Sequence, residues 1–231
     1  MSGLNDFPAI GYDASKASSR LREEGLGGML LTSPENVFYT TGYTCLPSSG
    51  NPILYTLRNR LPYFSAVDGD GRTTLICWGF SAEDVNFGAD ALVGINNYEE
   101  AVAALRETVG SLSGEGPIAV ESTAPRFVTD ALADAGVAMG DADPVIDDLR
   151  LIKTAEEIAL IRRSTSIIED CVEDLYPVLE IGMSRAELMR TARTMLVERG
   201  ATGVSHLTFT FGGSNPEIEI AEPLPENRLV T

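Results

Sequence analysis

The residues able to do chemistry are few and scattered. His206 is the single histidine, so any Ser-His-Asp or Cys-His device would have to be built on it. Its surroundings, Val204-Ser205-His206-Leu207-Thr208, hold no nucleophile motif. One histidine also falls short of the His-rich spacing of a transition-metal site. Two readings of it stay open: a strand-end histidine and a catalytic one. Glu217, Glu219, Glu222 and Glu226 form an acidic run that could gather a hard cation. Nothing there resembles an EF-hand loop, and Pro216, Pro223 and Pro225 interrupt the run. It reads as a solvated charged segment.

The three cysteines, Cys45, Cys77 and Cys171, are far apart and contain no C-x-x-C pair, which argues against a zinc or dithiol site. Cys77 lies in an apolar run and Cys171 in a helical one, so both read as small buried hydrophobes. Cys45 falls in a loop. Gly25, Gly27 and Gly28 follow a helix and precede a strand, the reverse of a dinucleotide-binding turn. Gly212-Gly213-Ser214-Asn215 reads as a turn. Arg58 and Arg60 precede a hairpin; a guanidinium can grip a carboxylate bidentately, but surface arginine is the ordinary role.

The elements that must carry these groups follow from periodicity. Asp13 caps a helix running to about Glu24, and Gly28–Thr32 is a short buried strand. Ser33-Pro34-Glu35-Asn36 starts a short helix. Ile53–Leu57 is a candidate strand. Leu61–Val67 and Thr73–Trp78 flank Asp68-Gly69-Asp70-Gly71, a hairpin signal because glycine tolerates positive φ. Ser81–Phe87 reads as a helical turn, Asp90–Ile95 as strand, and Tyr98–Val109 as helix. Ile118–Val120 is strand, Ser122 is placed to cap a helix ending at Gly136, and Val137–Met139 is strand. Asp141–Pro144 is a polar break before the next domain. This alternation predicts a mixed α/β layered domain over 1–146.

Beyond it, Thr154 and Glu157 form a capping box. Ile158, Ile161, Ile168, Val172 and Leu175, with Thr165 in the gap, share one helical face. Ser184 and Glu187 form a second box, and Gly200 closes that helix. His206–Phe211 reads as a strand. Two helices and one or two strands over 147–231 make an incomplete α+β domain, because such a sheet would leave an edge exposed.

The chain has 231 residues and a net charge of −17. That charge argues against nucleic acid and anionic membranes as partners. It also raises adaptation to high salt, where screening relieves self-repulsion. No apolar run is long enough to span a bilayer, and Met1–Asp6 lacks a signal peptide's basic and apolar regions. A cytoplasmic location is expected.

Several spaced motifs together carry a resemblance. Leu149-Arg150-x-Ile152-Lys153-x-x-x-Glu157-Ile158, Gly182-x-Ser184-x-x-Glu187-Leu188, Gly200-Ala201, Phe211-x-Gly213-x-Asn215 and Pro223 stand in that order. Upstream is Ser33-Pro34-Glu35-Asn36-Val37-Phe38-Tyr39-Thr40-Thr41-Gly42-Tyr43. The chain resembles the creatinase/prolidase/aminopeptidase P family, the pita-bread metallohydrolases. The resemblance implies a creatinase-type N-terminal three-layer α/β domain with a mixed sheet, then an incomplete pita-bread α+β domain. It implies hydrolysis of C–N bonds, often in Xaa-Pro peptides, with amidines as other substrates.

Two divalent metals (manganese, cobalt or zinc) are expected in a full-length relative. The family's ligands, two Asp, one His and two Glu, lie further along than anything matched here, so no cofactor and no catalytic or metal residue is expected in this chain. Leu224–Thr231 resembles the strand leading to the first metal aspartate. Ile220 stands where the family often has His, and Asn227-Arg228 where it usually has Gly-Asp. The resemblance further implies a homodimer whose N-terminal domain reaches the partner's site. That makes Arg60, with His206, a candidate substrate contact. The expectation is an N-terminal part that does not hydrolyse peptides alone; the alternative is a non-catalytic binding or dimerisation module, or a truncated gene product.

Overall fold

The structure, a computed structural model, describes residues 6–44, 62–79, 86–112, 115–201, 203–204 and 207–209. Two compact units divide the chain, Met1–Glu157 and Ile158–Thr231.

In the first unit the strands are β1 (Asp6–Phe7), β2 (Gly28–Leu31), β3 (Phe64–Asp68), β4 (Thr73–Trp78), β5 (Asn86–Phe87), β6 (Ala91–Ile95), β7 (Ile118–Val120) and β8 (Met139–Asp141). Among the described residues, its helices are α1 (Ala14–Glu23), α2 (Pro34–Thr41), α3 (Tyr98–Ser111), α4 (Arg126–Asp134) and α5 (Asp143–Leu151). Six strands form one sheet in the order β6-β4-β3-β2-β7-β8. The β2–β3 and β3–β4 pairs are antiparallel; β4–β6, β2–β7 and β7–β8 are parallel. The sheet is therefore mixed, as expected.

Side chains alternate across a strand, and the core divides accordingly. Met29 and Leu31 of β2 join Val67, Leu75 and Cys77 under α1, α2 and α5, through Leu21, Val37 and Ile146. Leu30 of the same strand joins Phe64, Ala66 and Ile76 under α3 and α4, through Leu105 and Leu132. All four residues of β2 are buried, because both faces of this strand are covered by helices. The result is three layers, helix–sheet–helix.

Local chemistry sets the helix starts. The Asp13 carboxylate accepts the backbone N–H groups of Ser15 (2.9 Å) and Lys16 (3.1 Å), ahead of α1. Asp13→Ala is expected to lower the stability of the first unit by about 1 kcal/mol, read as a shift in urea midpoint. Pro144 sits in the first turn of α5, where its missing N–H costs nothing. The expected polar break at Asp141–Pro144 is thus the entry to a further helix. That helix buries Val145, Ile146 and Leu149 in the first core.

Other expectations are corrected. Ser122 caps no helix. Pro125 disfavours helical geometry at the residue before it, so α4 begins only at Arg126, with no side-chain cap. The last strand is displaced to Met139–Asp141 because the Val137 N–H closes α4 on Leu132 O (3.0 Å). Asn86–Phe87 is not helical but strand, paired in parallel with β1. The strand expected at Ile53–Leu57 lies outside the described residues.

The second unit contains the long helix α6 (Ala155–Leu175), whose first turn belongs to the first unit, a 3₁₀ turn (Tyr176–Val178) and α7 (Arg185–Glu198). Both capping boxes form. Thr154 and Glu157 exchange bonds of 2.8 and 3.2 Å, and Ser184 and Glu187 exchange bonds of 2.8 and 3.3 Å. The Ser184 backbone N–H and hydroxyl hold the Glu187 carboxyl below its ordinary pKa. A small core gathers Leu175, Leu188 and Ala192. Of the apolar residues that share one face of α6, Leu175 is buried; Ile158, Ile161, Ile168 and Val172 are exposed. Residues 207–209 form no strand, and the rest of the expected His206–Phe211 strand lies outside the described residues. None of the described helices is long and apolar enough to cross a membrane.

Candidate functional site

Among the described residues, a dense polar cluster sits where β2 meets α2. Glu121 follows β7 directly, and parallel pairing of Leu30 with Val120 brings its side chain beside the residues leaving β2. It is only 4% exposed. One carboxylate oxygen accepts the Thr32 backbone N–H, the Thr32 hydroxyl (3.0 Å) and the Ser33 backbone N–H (2.8 Å). The other accepts the Ser33 hydroxyl (2.6 Å) and the Asn36 amide (2.5 Å). Arg150 donates to Asn36 Oδ1 at 2.5 Å, so a cation stands one residue away from the buried anion.

This geometry explains why the Ser33–Tyr43 stretch has its residue types. Ser33 caps α2 through Asn36 N–H, and Pro34 fits the first turn. Asn36 bridges Glu121 to Arg150. The single Tyr39 hydroxyl proton is shared between two carbonyl acceptors, Gly11 O (2.9 Å) and Leu149 O (3.1 Å). Burial, then the charge of Glu157, pushes the Tyr39 phenol up to about 12, so it remains a donor at neutral pH. Thr40 donates to Ser65 Oγ on β3 (2.8 Å). Gly42 ends the helix at φ 72°, a left-handed conformation that glycine adopts freely.

The same cluster fixes the end of α5. Lys16 donates to Asp148 O (2.7 Å) and faces its carboxylate at 3.4 Å. Tyr39 holds Leu149 O and Arg150 reaches Asn36. Three successive residues of the Asp148-Leu149-Arg150 run are thus tied to α1 and α2. Their chemistry is positional. Five donors already converge on the two Glu121 oxygens, so the carboxylate serves the fold and is not an open metal ligand.

Two hollows adjoin α6. One of about 580 Å³ is lined by Gly11, Tyr12, Asp13, Ser15, Thr154 and Glu156, among others. The helix N-termini there are already capped by Asp13 and by the Thr154–Glu157 box. The other, about 380 Å³ and within the second unit, is walled by Leu160, Ile167, Ile168, Leu196 and Leu207, with Arg163 and Ser164 as its polar groups. Neither brings together a nucleophile and a base. Among the described residues no group of three or more His, Cys, Asp or Glu is placed to hold a metal ion. The residues described here therefore do not fit a two-metal centre, and no chemical step is derived through one.

The sequence-derived candidates Arg60 and His206 lie outside the described residues, as do Cys45, Arg58 and the glutamates from Glu217 onward. Cys77 and Cys171 are buried and free, as expected. Burial pushes the Cys77 thiol up to about 12 and raises that of Cys171. Both are expected to resist iodoacetamide in the folded protein and to react on unfolding; a native-state adduct on Cys77, seen by peptide mass spectrometry, would contradict this. Sequence reasoning overlooked Glu121. The one available signal was a carboxylate directly abutting the apolar run Ile118-Ala119-Val120.

Comparison with known proteins places this arrangement. An uncharacterized peptidase of Staphylococcus aureus (strain USA300) is 23% identical over 203 residues, 87% of this chain and 54% of that protein. The chain thus spans about half the length of the curated relatives it matches. The prolidase from Pyrococcus furiosus shares the fold with a TM-score of 0.71 at 21% identity, over 94% of this chain and 64% of that one. The X-Pro aminopeptidase from Thermotoga maritima MSB8 gives a TM-score of 0.72 at 14% identity, over 94% and 59%. Residues 14–152, from the start of α1 to the residue after α5, match the family described as the Creatinase/Prolidase N-terminal domain. With its mixed six-stranded sheet and its clamped α5, this chain belongs to the creatinase/prolidase N-terminal domain family.

Proposed function

We propose that this chain is the N-terminal part of a Xaa-Pro peptidase-like metallohydrolase, acting on C–N bonds, and that it does not hydrolyse peptides on its own. The observation that carries this is the extent of the match. The fold likeness to a prolidase runs over 94% of this chain but only 64% of the other, and the S. aureus peptidase is matched over 54% of its length. The described residues bring no metal-holding group together. In this reading residues 147–231 begin a pita-bread domain, whose remainder carries two divalent metals and the hydroxide they generate. The first unit then acts by position, with the Glu121 cluster and the α5 clamp fixing where α6 starts.

The test is an assay of Xaa-Pro dipeptides with the 231-residue protein and added manganese or cobalt. No turnover above the metal-only background is expected. Sustained turnover that tracks the protein through purification would overturn the proposal.

A second reading, a non-catalytic binding or dimerisation module, is favoured by one observation: the first unit builds cores on both sheet faces from its own residues. The two readings part on an in-frame extension of the coding sequence. A longer protein that binds two metals and cleaves Xaa-Pro bonds supports the first. One that binds metal-free partners without turnover supports the second.

A further inference from the structure

We propose that Glu157 is a positioning residue: its carboxylate, seated on the bare Cα of Gly11, ties the first turn of α6 to the chain leading into α1, so that the exposed link between α5 and α6 is no hinge. Gly11 precedes α1 and has a left-handed φ of +91°. A Cβ built on it would stand 2.5 Å from Glu157 Cδ and 2.7 and 2.9 Å from the two carboxylate oxygens. Non-bonded carbon atoms pack at about 3.5–4.0 Å. The carboxylate therefore lies where any other residue would put its side chain.

Helix capping alone does not account for this seat. Glu157 is half-buried, although Glu156 and Ile158 on either side of it are exposed. Its charge is near enough to the Tyr39 phenol to raise that group's pKa, second only to burial. The Ser184–Glu187 box offers a comparison within the same chain. It makes the same pair of bonds, and it too follows a left-handed glycine, Gly182, at φ +90°. Yet Glu187 is exposed, and among the described residues a Cβ on Gly182 would meet nothing within 4 Å. One box only caps its helix; the other also grips the chain before α1.

The link itself is Ile152-Lys153-Thr154, between the end of α5 and the start of α6. All three residues are exposed, as a pivot would be. Both ends are nevertheless held. On the α5 side, Leu149 O accepts from Tyr39 and Arg150 reaches Asn36. On the α6 side, Glu157 sits on Gly11, whose carbonyl accepts from the same Tyr39 hydroxyl. Every residue of this lock belongs to the first unit. The lock therefore stands apart from the peptidase reading and does not depend on it.

Hydrogen exchange on the 231-residue protein, read by NMR, tests this. Glu187→Ala removes a cap alone and is expected to lower protection of the Leu188–Thr191 amides by about threefold. Glu157→Ala removes cap and seat together, and a loss of about tenfold or more is expected at Ile158–Ile161. Glu157→Gln keeps the length and an acceptor, and stays within about threefold of wild type at those amides. Gly11→Ala displaces the carboxylate and lowers the same amides; added to Glu157→Ala it costs no more than about twofold further, because the two changes remove one contact. Trypsin cleavage after Lys153 is expected to be slow in wild type and about tenfold faster in Glu157→Ala. Equal losses for Glu157→Ala and Glu187→Ala overturn the proposal. So does glutamine as damaging as alanine, a Gly11→Ala effect unchanged by the loss of Glu157, or rapid cleavage of the folded wild type. Far-UV circular dichroism checks folding; if Gly11→Ala does not fold, the Glu157 and Glu187 variants decide.

Discussion

Glu121→Ala is expected to remove about 3–5 kcal/mol from the stability of the first unit, the range seen when one partner of a buried charged network is deleted. The reason lies in what remains. Two backbone N–H groups, two hydroxyls and one amide now converge on Glu121. Alanine would leave them around a cavity with no acceptor, and an unsatisfied buried donor costs more than a hydrogen bond contributes. The Arg150 guanidinium would lose its neighbouring anion as well.

Glu121→Gln separates shape from charge. It keeps the volume but turns one oxygen into a donor at a site where every neighbour donates. A loss between those of wild type and alanine is expected. Urea unfolding of the three proteins reads this directly. A shift under about 1 kcal/mol for alanine would show that water or a rearranged Thr32–Asn36 turn replaces the carboxylate without loss. The buried network would then have to be abandoned as the anchor of the β2–α2 junction.

Gly71→Ala should be comparably damaging for a different reason. Gly71 closes the β3–β4 turn at φ +82°, and a Cβ there would stand 2.0 Å from Ala14 O. The turn lies against the start of α1, with the Tyr12 hydroxyl bonded to Gly71 O and the Ser18 hydroxyl to Gly69 O, both at 2.7 Å. Neither backbone can give way without breaking these bonds. A left-handed alanine costs about 1 kcal/mol, and the overlap adds roughly 1–3 kcal/mol. Gly25→Ala is the control. Its φ is +66°, but nothing lies within 4 Å of the added carbon, so only the conformational part, about 1 kcal/mol, is expected. Equal shifts in melting or urea midpoint for the two variants would remove steric contact from the explanation.

Much of the first unit was legible in the sequence because its signals are local. Asp13, Ser33 and the two capping boxes mark helix starts through bonds spanning two or three residues. The Asp-Gly repeat between two apolar runs marks the β3–β4 hairpin. Where one local signal competed with another, the reading failed. A proline outweighed the capping potential of Ser122. The closing turn of α4 took Val137 away from β8. Pro144, read as a break, is equally suited to open a helix.

The family resemblance was also legible, since its motifs recur at fixed spacing. The reason for one of them was not. Asn36 and Glu121 are 85 residues apart, and Asn36 and Arg150 are 114 apart. No periodicity links such positions: the parallel pairing of β2 with β7 brings Glu121 to Asn36, and the packing of α5 in the first core brings Arg150 there. The same limit applies to α6. Its spacing determines that Ile158, Ile161, Ile168 and Val172 share a face, because 3.6 residues per turn is a property of the helix alone. Whether that face is covered depends on what packs against it, and in this structure it is exposed. The sequence by itself determined the elements and caps that rest on local signals, and the family. Tertiary structure decided which polar groups meet in the interior, because that depends on the order in which distant strands pair.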